Sequence, residues 1–216
     1  MKAFIVSLLF AVTVFGAVAQ DIELPRPAVK SGVDLLQAIK DRKVSKTFVK
    51  RDVPAVELST ILWSGIGTRA VDAVTSATKA GRNVSFSGDN AYINVYVLTD
   101  KGTWKYTPAN NMLDLVTKGD SRAAVSKASA PDASILFLFT VDNALTPSFL
   151  KANPALFQQM ANATAGFAAQ NMALVASTYK LAAVVQYTLT PAGAATAAGL
   201  GKDEAPLFIM QIGYAE

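Results

Sequence analysis

From Pro154 to Tyr179 the chain carries no charged side chain and no wide polar face. Leu156, Phe157, Met160, Phe167, Met172, Leu174 and Val175 are spaced among small Ala, Gly and Ser residues. This predicts one long helix, apolar all round and buried at the centre of the fold. Pro154 suits a first helical position and Asn153 a cap, so the helix is expected to begin there. Gln170 and Asn171 interrupt the apolar run and are expected to be structural amides tying the helix to its neighbours.

The rest of the pattern is predicted to wrap this segment. After a polar, proline-bearing lead (21–30), Ser31-Gly-Val-Asp34 reads as a capping box, and Leu35, Leu36 and Ile39 recur at helical spacing up to the charged run 41–46. Asp52 and Pro54 signal a second helix with Val56, Ile61, Leu62 and Trp63, stopped at Gly65 or Gly67. Residues 68–89 read as a long loop. The period then changes to two. Strands are expected at 92–98, 103–106 and 112–117, joined by turns at Asp100-Lys101-Gly102 and Asn110-Asn111 as a meander. A short helix is expected at 121–127, a fully buried strand at 134–140, a strand at 181–187, a short helix at 191–198 and a last buried strand at 206–212. Helices and strands mix without a strict βαβ repeat, which predicts an α+β fold with a central sheet flanked by helices.

Composition narrows the chemistry. The 216 residues, half of them apolar and 17% charged, fit one domain. Lys2, the apolar run 3–15 and Ala17-Val18-Ala19 form a signal-peptide pattern over residues 1–19, so the mature chain (20–216) is expected to begin at Gln20 and to be exported, periplasmic or secreted. The chain has no Cys and no His. That excludes disulfides, thiol chemistry, His general bases and most transition-metal sites, and no spacing singles out a Ser–Lys pair. The net charge of +4 falls by one with Lys2 and shows no nucleic-acid pattern of cations alternating with aromatics. A localised anion such as a phosphate is the better match.

In this order the segments resemble the nitroreductase family of FMN-dependent oxidoreductases, and within it the exported SagB-like branch. Residues 41–48, Asp-Arg-Lys-Val-Ser-Lys-Thr-Phe, resemble the family's R-[RKH]-S-x-[RK]-x-F signature; residues 53–63 and 65–69 resemble the next helix and its exit. Residues 82–98 resemble the R-T-x-P-S-A segment leading into the first strand. Gly166, Gln170, Asn171 and Leu174 match the central helix, and 206–214 the closing strand with its G-Y ending. The resemblance implies a nitroreductase-like fold with a mixed central sheet around the long helix, and a two-fold homodimer joined largely through that helix and its neighbours. It implies FMN held by Arg42, Lys43, Ser45 and Lys46 at the phosphate and ribityl chain. Ser85, Ser87 and Asp89 would lie along the ring or ribityl, and Gln186-Tyr187 at the strand end would approach the ring. The flavin does the redox step, so no catalytic nucleophile or acid–base pair is required. Hydride or electrons would pass from a reduced nicotinamide or other donor to a nitro- or quinone-like acceptor.

The sequence departs from the family at several of these positions. Val44 stands for the signature serine, Ser85-Phe86-Ser87 for P-S-A, Asp89 for an Asn, and Tyr187 and Lys180 for glycines; the ending Gly213-Tyr-Ala-Glu216 lacks basic residues. Two functional readings therefore stand at this point: the flavin enzyme, and a flavin-free envelope binding or structural protein that keeps the fold. Structural roles stand beside the functional ones. Arg42, Lys43 and Lys46 are also explained as cations at a helix C-terminus, Asp89 as a turn residue, Gly65 and Gly67 as helix stops, and Trp63 and Trp104 as packing residues.

Overall fold

A computed structural model describes residues 20–30, 32–68, 81–88, 90–126 and 132–216. The expected signal peptide, Ser31, residues 69–80 of the long loop, Asp89 and Lys127 lie outside the described residues. The strands in chain order are β1 (Ile22–Glu23), β2 (Phe48–Val49), β3 (Ile93–Leu98), β4 (Gly102–Thr107), β5 (Met112–Lys118), β6 (Ile135–Asp142), β7 (Ala182–Gln186) and β8 (Glu204–Ala215). The helices are α1 (Leu35–Asp41), α2 (Ala55–Ile66), α3 (Arg122–Val125), α4 (Pro154–Thr178) and α5 (Pro191–Ala198), with single 3₁₀ turns at Asn143–Leu145 and Ser148–Leu150.

The strands form one sheet in the order β1-β5-β4-β3-β6-β8-β2, and β7 pairs with β8 beside β2. All named strands pair antiparallel; the one parallel pairing among the described residues is the bridge from Lys43 to Ala182. Alternation along β8 shows how the faces divide. Phe208, Met210 and Ile212 point into the main core with Ile61, Leu62 and Ile66 of α2 and Phe157, Ala165, Ala168 and Met172 of α4. Ile209 points the other way, joining Leu136, Leu138, Ala194 and Ala197 beneath α5. The sheet is thus a middle layer between α2/α4 and α5, and β6 is buried on both faces, as its unbroken apolar run predicts.

The long helix starts where expected: Asn153 Oδ1 accepts the Leu156 N–H at 3.1 Å and Pro154 takes the first turn. Its small residues allow close approach. A Cβ on Gly65 of α2 would stand 2.6 Å from Met172 Sδ, so a larger residue here would have to push the Met172 side chain aside. Asn171 ties the pair further, donating to the Ser64 carbonyl at 3.2 Å. The helix is not buried all round, however. Leu156, Ala163, Gly166, Phe167 and Gln170 face outward, so one flank is bare in the single chain, and Gln170 is not the structural amide expected of it. The apolar residues of α1 differ from expectation in the same way. Its buried residue is Ala38, tied by the Ser177 hydroxyl at 2.9 Å, while Leu35, Leu36 and Ile39 are exposed.

Other boundaries shift for local reasons. Asp34 caps α1, accepting from Leu36 N at 2.8 Å. Pro54 precedes α2 with no side-chain cap, and Asp52 instead lies 3.7 Å from Lys101. The predicted polar lead docks: β1 pairs with β5, Leu24 is buried, and Asn111 donates to the carbonyls of Leu24 and Pro25. Trp104 is buried and donates to the Gln20 carbonyl at 2.8 Å, a packing role as expected.

Two polar clusters are built into the fold. Under the α5 side of the sheet, Glu204 accepts from Asn94 Nδ2 at 2.9 Å, the Tyr96 hydroxyl at 3.1 Å and the Thr140 hydroxyl. Burial, with the Glu204 charge beside it, pushes the Tyr96 phenol far above its ordinary value. Beyond β5, Asp120 receives Arg122 Nε at 2.9 Å and Nη2 at 2.7 Å, while Nη1 reaches the Ala133 carbonyl at 2.5 Å. The guanidinium hydrogen bonds hold the Asp120 carboxyl below its ordinary value.

Two measurements test this geometry. Lys180 adopts φ +60, the left-handed turn after α4 where glycine is unstrained. Lys180→Gly is expected to raise stability by about 1 kcal/mol, roughly 2–4 °C in Tm, in a thermal melt. Because folding lowers the Asp120 pKa, its pairing stabilises above the unfolded value of about 4 and is lost as pH falls through the folded value. Urea midpoints of the parent and Asp120→Asn should therefore differ at pH 7 and converge as the medium is acidified below pH ~4.

Candidate functional site

Leaving α1 at Arg42, the chain crosses the start of β7, where the Lys43 carbonyl accepts the Ala183 N–H at 3.0 Å. This bridge fixes the cationic run beside the sheet edge. Arg42, Lys43 and Lys46 are exposed, and none makes an ion pair among the described residues. Ser45 folds back locally, its hydroxyl donating to the Thr47 carbonyl at 2.6 Å. Val44 is exposed between the cations, where a hydroxyl would be at home. Phe48 then buries against Gly213, and β2 pairs Phe48 and Val49 with the end of β8.

At the other end of β7 stand Gln186 and Tyr187. Five residues at ~3.3 Å each put this end roughly 13 Å from Ala182. Leu181 and Ala183 are buried beneath α4, but Val185 and Tyr187, next on the same face by alternation, are open at 39% and 78% exposure. The Tyr187 ring tilts against Phe208 with centroids 5.7 Å apart, and Phe208 stacks on Phe139 at 4.7 Å. On the opposite face the Gln186 amide oxygen accepts from Gln211 Nε2 at 2.8 Å. The α4 face of β7 is therefore covered at its start and forms an open, apolar ledge at its end.

The Ser85–Ser87 loop is held against α4. Thr164 Oγ1 donates to the Ser85 carbonyl at 3.2 Å and lies 3.4 Å from the Tyr92 hydroxyl, which accepts the Ser87 N–H at 3.3 Å. Phe86 packs edge-on to Tyr92, and Tyr92 edge-on to Phe157. Gly88 turns at φ +84 against Pro147, where a Cβ would meet the proline ring at 2.9 Å. Strand register puts this loop, which precedes β3, at the same end of the sheet as the ledge: Ile93 opposes Val141, and Val141 opposes Ala205. The hydroxyls of Ser85 and Ser87 make no hydrogen bond among the described residues. The upstream Arg82, part of the resembling segment, has a structural task. It donates to the Ile66 carbonyl while Asn83 donates to the Trp63 carbonyl at 2.6 Å, closing the C-terminus of α2.

The structure thus sorts the expected residues into a cationic end (Arg42, Lys43, Lys46) and an apolar end (Tyr187, with the Ser85–Ser87 loop on the same sheet end). Val185, Phe208 and Thr164 were not singled out from the sequence. Alternation in 182–187 is the signal that would have found Val185; nothing local marks the other two. This donor set fits a molecule with a phosphate at one end and a flat ring at the other: free cations face one end, and the other offers apolar surface with hydroxyls nearby.

The architecture is an α+β sheet with one long helix laid across it, with exposed cations and an open apolar ledge at opposite ends of β7. The nitroreductase family model matches residues 39–214, and the chain belongs to that family. Among solved structures, a protein assigned as a nitroreductase from Ralstonia eutropha JMP134 is similar at 26% identity, covering 93% of this chain and 92% of its own, with a TM-score of 0.78. Another so assigned from Anabaena variabilis matches at 16% identity over 91% of this chain, which spans 42% of that longer protein, with a TM-score of 0.72. The NADPH:FMN oxidoreductase of Vibrio harveyi, solved with NAD+, shares the fold at 17% identity over 84% of this chain and 69% of its own, TM-score 0.56. No curated protein sequence matches the chain.

Thr164 is the checkable support of the loop. Thr164→Val is expected to cost about 1–2 kcal/mol, because it leaves the Ser85 carbonyl short of a donor. Amide exchange at 85–88 should speed up more than at β6.

Proposed function

We propose that this chain is an FMN-dependent oxidoreductase of nitroreductase type, carrying electrons from a reduced nicotinamide or other donor to a nitro- or quinone-like acceptor. One observation carries the reading: unpaired cations and an open apolar ledge lie at opposite ends of the five-residue β7. Family membership supports it. Bound FMN would supply the redox chemistry, accepting and releasing a hydride equivalent.

The chain's own residues would bind and orient. Arg42, with its planar fork, and Lys46, as a point charge, would hold the phosphate, with Lys43 adding positive field. Ser45, already turned onto Thr47, would contribute its remaining hydrogen-bonding capacity. The Ser85 and Ser87 hydroxyls would meet the polar edge of the cofactor, and the backbone at Gln186-Tyr187 would border the ring. Asp89 is kept in the set on the resemblance alone.

The bare flank of α4 supports a homodimer. Leu156 and Phe167 are 41% and 57% exposed, with Gly166 open between them, and Leu35, Leu36 and Ile39 of α1 extend the apolar surface. A surface of this kind needs a partner, and a second copy offers the same self-complementary face. Export, and placement in the SagB-like branch, remain part of this reading on the sequence of residues 1–19 and the resemblance.

The mature protein from Gln20 should purify yellow or take up FMN. Arg42→Ala and Lys46→Ala are each expected to weaken FMN binding about tenfold or more without loss of fold, since charge-assisted contacts are worth about 1.5–3 kcal/mol. The loss should grow with salt. A colourless protein that ignores added FMN would favour the flavin-free envelope reading. Phe167→Asp should convert a dimer to monomers in light scattering; an unchanged mass would remove α4 from the interface.

A further inference from the structure

Tyr187 has a side chain that the backbone role above leaves unused. The residue is 78% exposed, yet the chain around it is hydrogen-bonded on both sides. The Tyr187 carbonyl accepts the Leu189 N–H at 3.0 Å, closing a tight turn. The next carbonyl, of Thr188, accepts the hydroxyl of the buried Ser126 at 2.6 Å. On the other side Gln186 is pinned to Gln211 at 2.8 Å. The ring itself leans on Phe208 at an interplanar angle of 59°, and Phe208 stacks on Phe139 at 25°. Three aromatic rings thus run from the core to the surface, and the outermost is a fixed aromatic surface standing on a strand end.

Its place along β7 matters. Tyr187 shares the open face with Val185 and lies at the end of the strand remote from Arg42, Lys43 and Lys46. A mononucleotide whose phosphate meets those cations presents its planar ring toward this end. We propose that the Tyr187 side chain is the aromatic contact of the bound isoalloxazine, held in place by Phe208. This rests on the FMN reading above and extends it from the strand's backbone to a side chain. An electron-rich phenol against an electron-poor oxidised ring favours the oxidised cofactor over the reduced one, so the residue would tune the site as well as fill it.

The contact has an optical signature independent of turnover. A phenol or indole touching a flavin donates an electron to its excited state and recovers it, so emission is lost with no net chemistry. A phenyl ring is much harder to oxidise and does not do this.

The experiment uses the mature protein with FMN, measuring bound cofactor by ultrafiltration and absorbance and, separately, the emission of the bound fraction. The parent should bind FMN with emission reduced to a small fraction of that of free FMN. Tyr187→Phe should bind nearly as well and stay bright, and Tyr187→Trp should be dark again. Tyr187→Ala should stay bright and bind about tenfold more weakly, the size of an aromatic stacking contribution. Bound FMN equally dark in the parent, Tyr187→Phe and Tyr187→Ala would overturn the contact and leave the FMN reading standing. Bound FMN as bright in the parent as in Tyr187→Ala would do the same. No FMN retained by the parent would overturn both.

Discussion

The close approach of α2 to α4 is the constraint on which the rest of this structure depends. Met172 fills the space beside Gly65 that any other side chain would claim, and Ala165, Ala168 and Ala169 let the same helix settle onto the sheet. Packing at this density tolerates little change in volume. With α2 on one side, the sheet beneath and α1 laid across its C-terminal end through Ala38 and Ser177, α4 has a single free flank. Its direction then dictates where β7 begins, through the left-handed turn at Lys180. The strand that separates the cationic end from the ledge is thus placed by a helix–helix contact well removed from both.

Several polar groups that the packing takes from water are answered locally. The Glu204 carboxylate collects donors from two strands, β3 and β6, and Arg122 satisfies both Asp120 and the Ala133 carbonyl. Without disulfides, such networks and the two apolar layers hold the molecule together. The candidate site differs in kind. There the cations face water without an ion pair and an aromatic side chain stays exposed. The same contrast divides α4 itself: the flank against α2 and the sheet is finished, and the flank with Phe167 is not.

The departures from the family pattern acquire physical meaning in this setting. Lys180 carries a backbone strain that glycine would avoid. Val44 puts an apolar side chain in water among cations. Tyr187 puts a ring where the family pattern has a glycine, and Phe208 and Phe139 stack in series behind it. Two of the three simply cost free energy; the third comes with supporting contacts.

Much of the fold was legible in the chain because its signals are local. Period-two alternation marked β3 to β5 and apolar runs marked β6 and β8, while Asn153-Pro154 and Pro191 announced two helices to the residue. The run at 42–46 was visible as charge, and the absence of Cys and His confined the chemistry through composition alone. What could not be read were outcomes of long-range pairing. Strands of two residues such as β1 and β2 carry no periodic signal and exist only because β5 and β8 offer an edge. Leu35, Leu36, Ile39 and Phe167 look like core residues in the sequence yet stay exposed, since hydrophobicity alone does not say which face of a helix packs. Val185, Phe208 and Thr164 entered the site through register and packing alone. The sequence by itself determined the elements, the family pattern and the charges, which are properties of neighbours along the chain. Tertiary structure decided which face of each element stayed open and which charges went unpaired, because only three-dimensional packing brings residues such as Lys43 and Ala182 together.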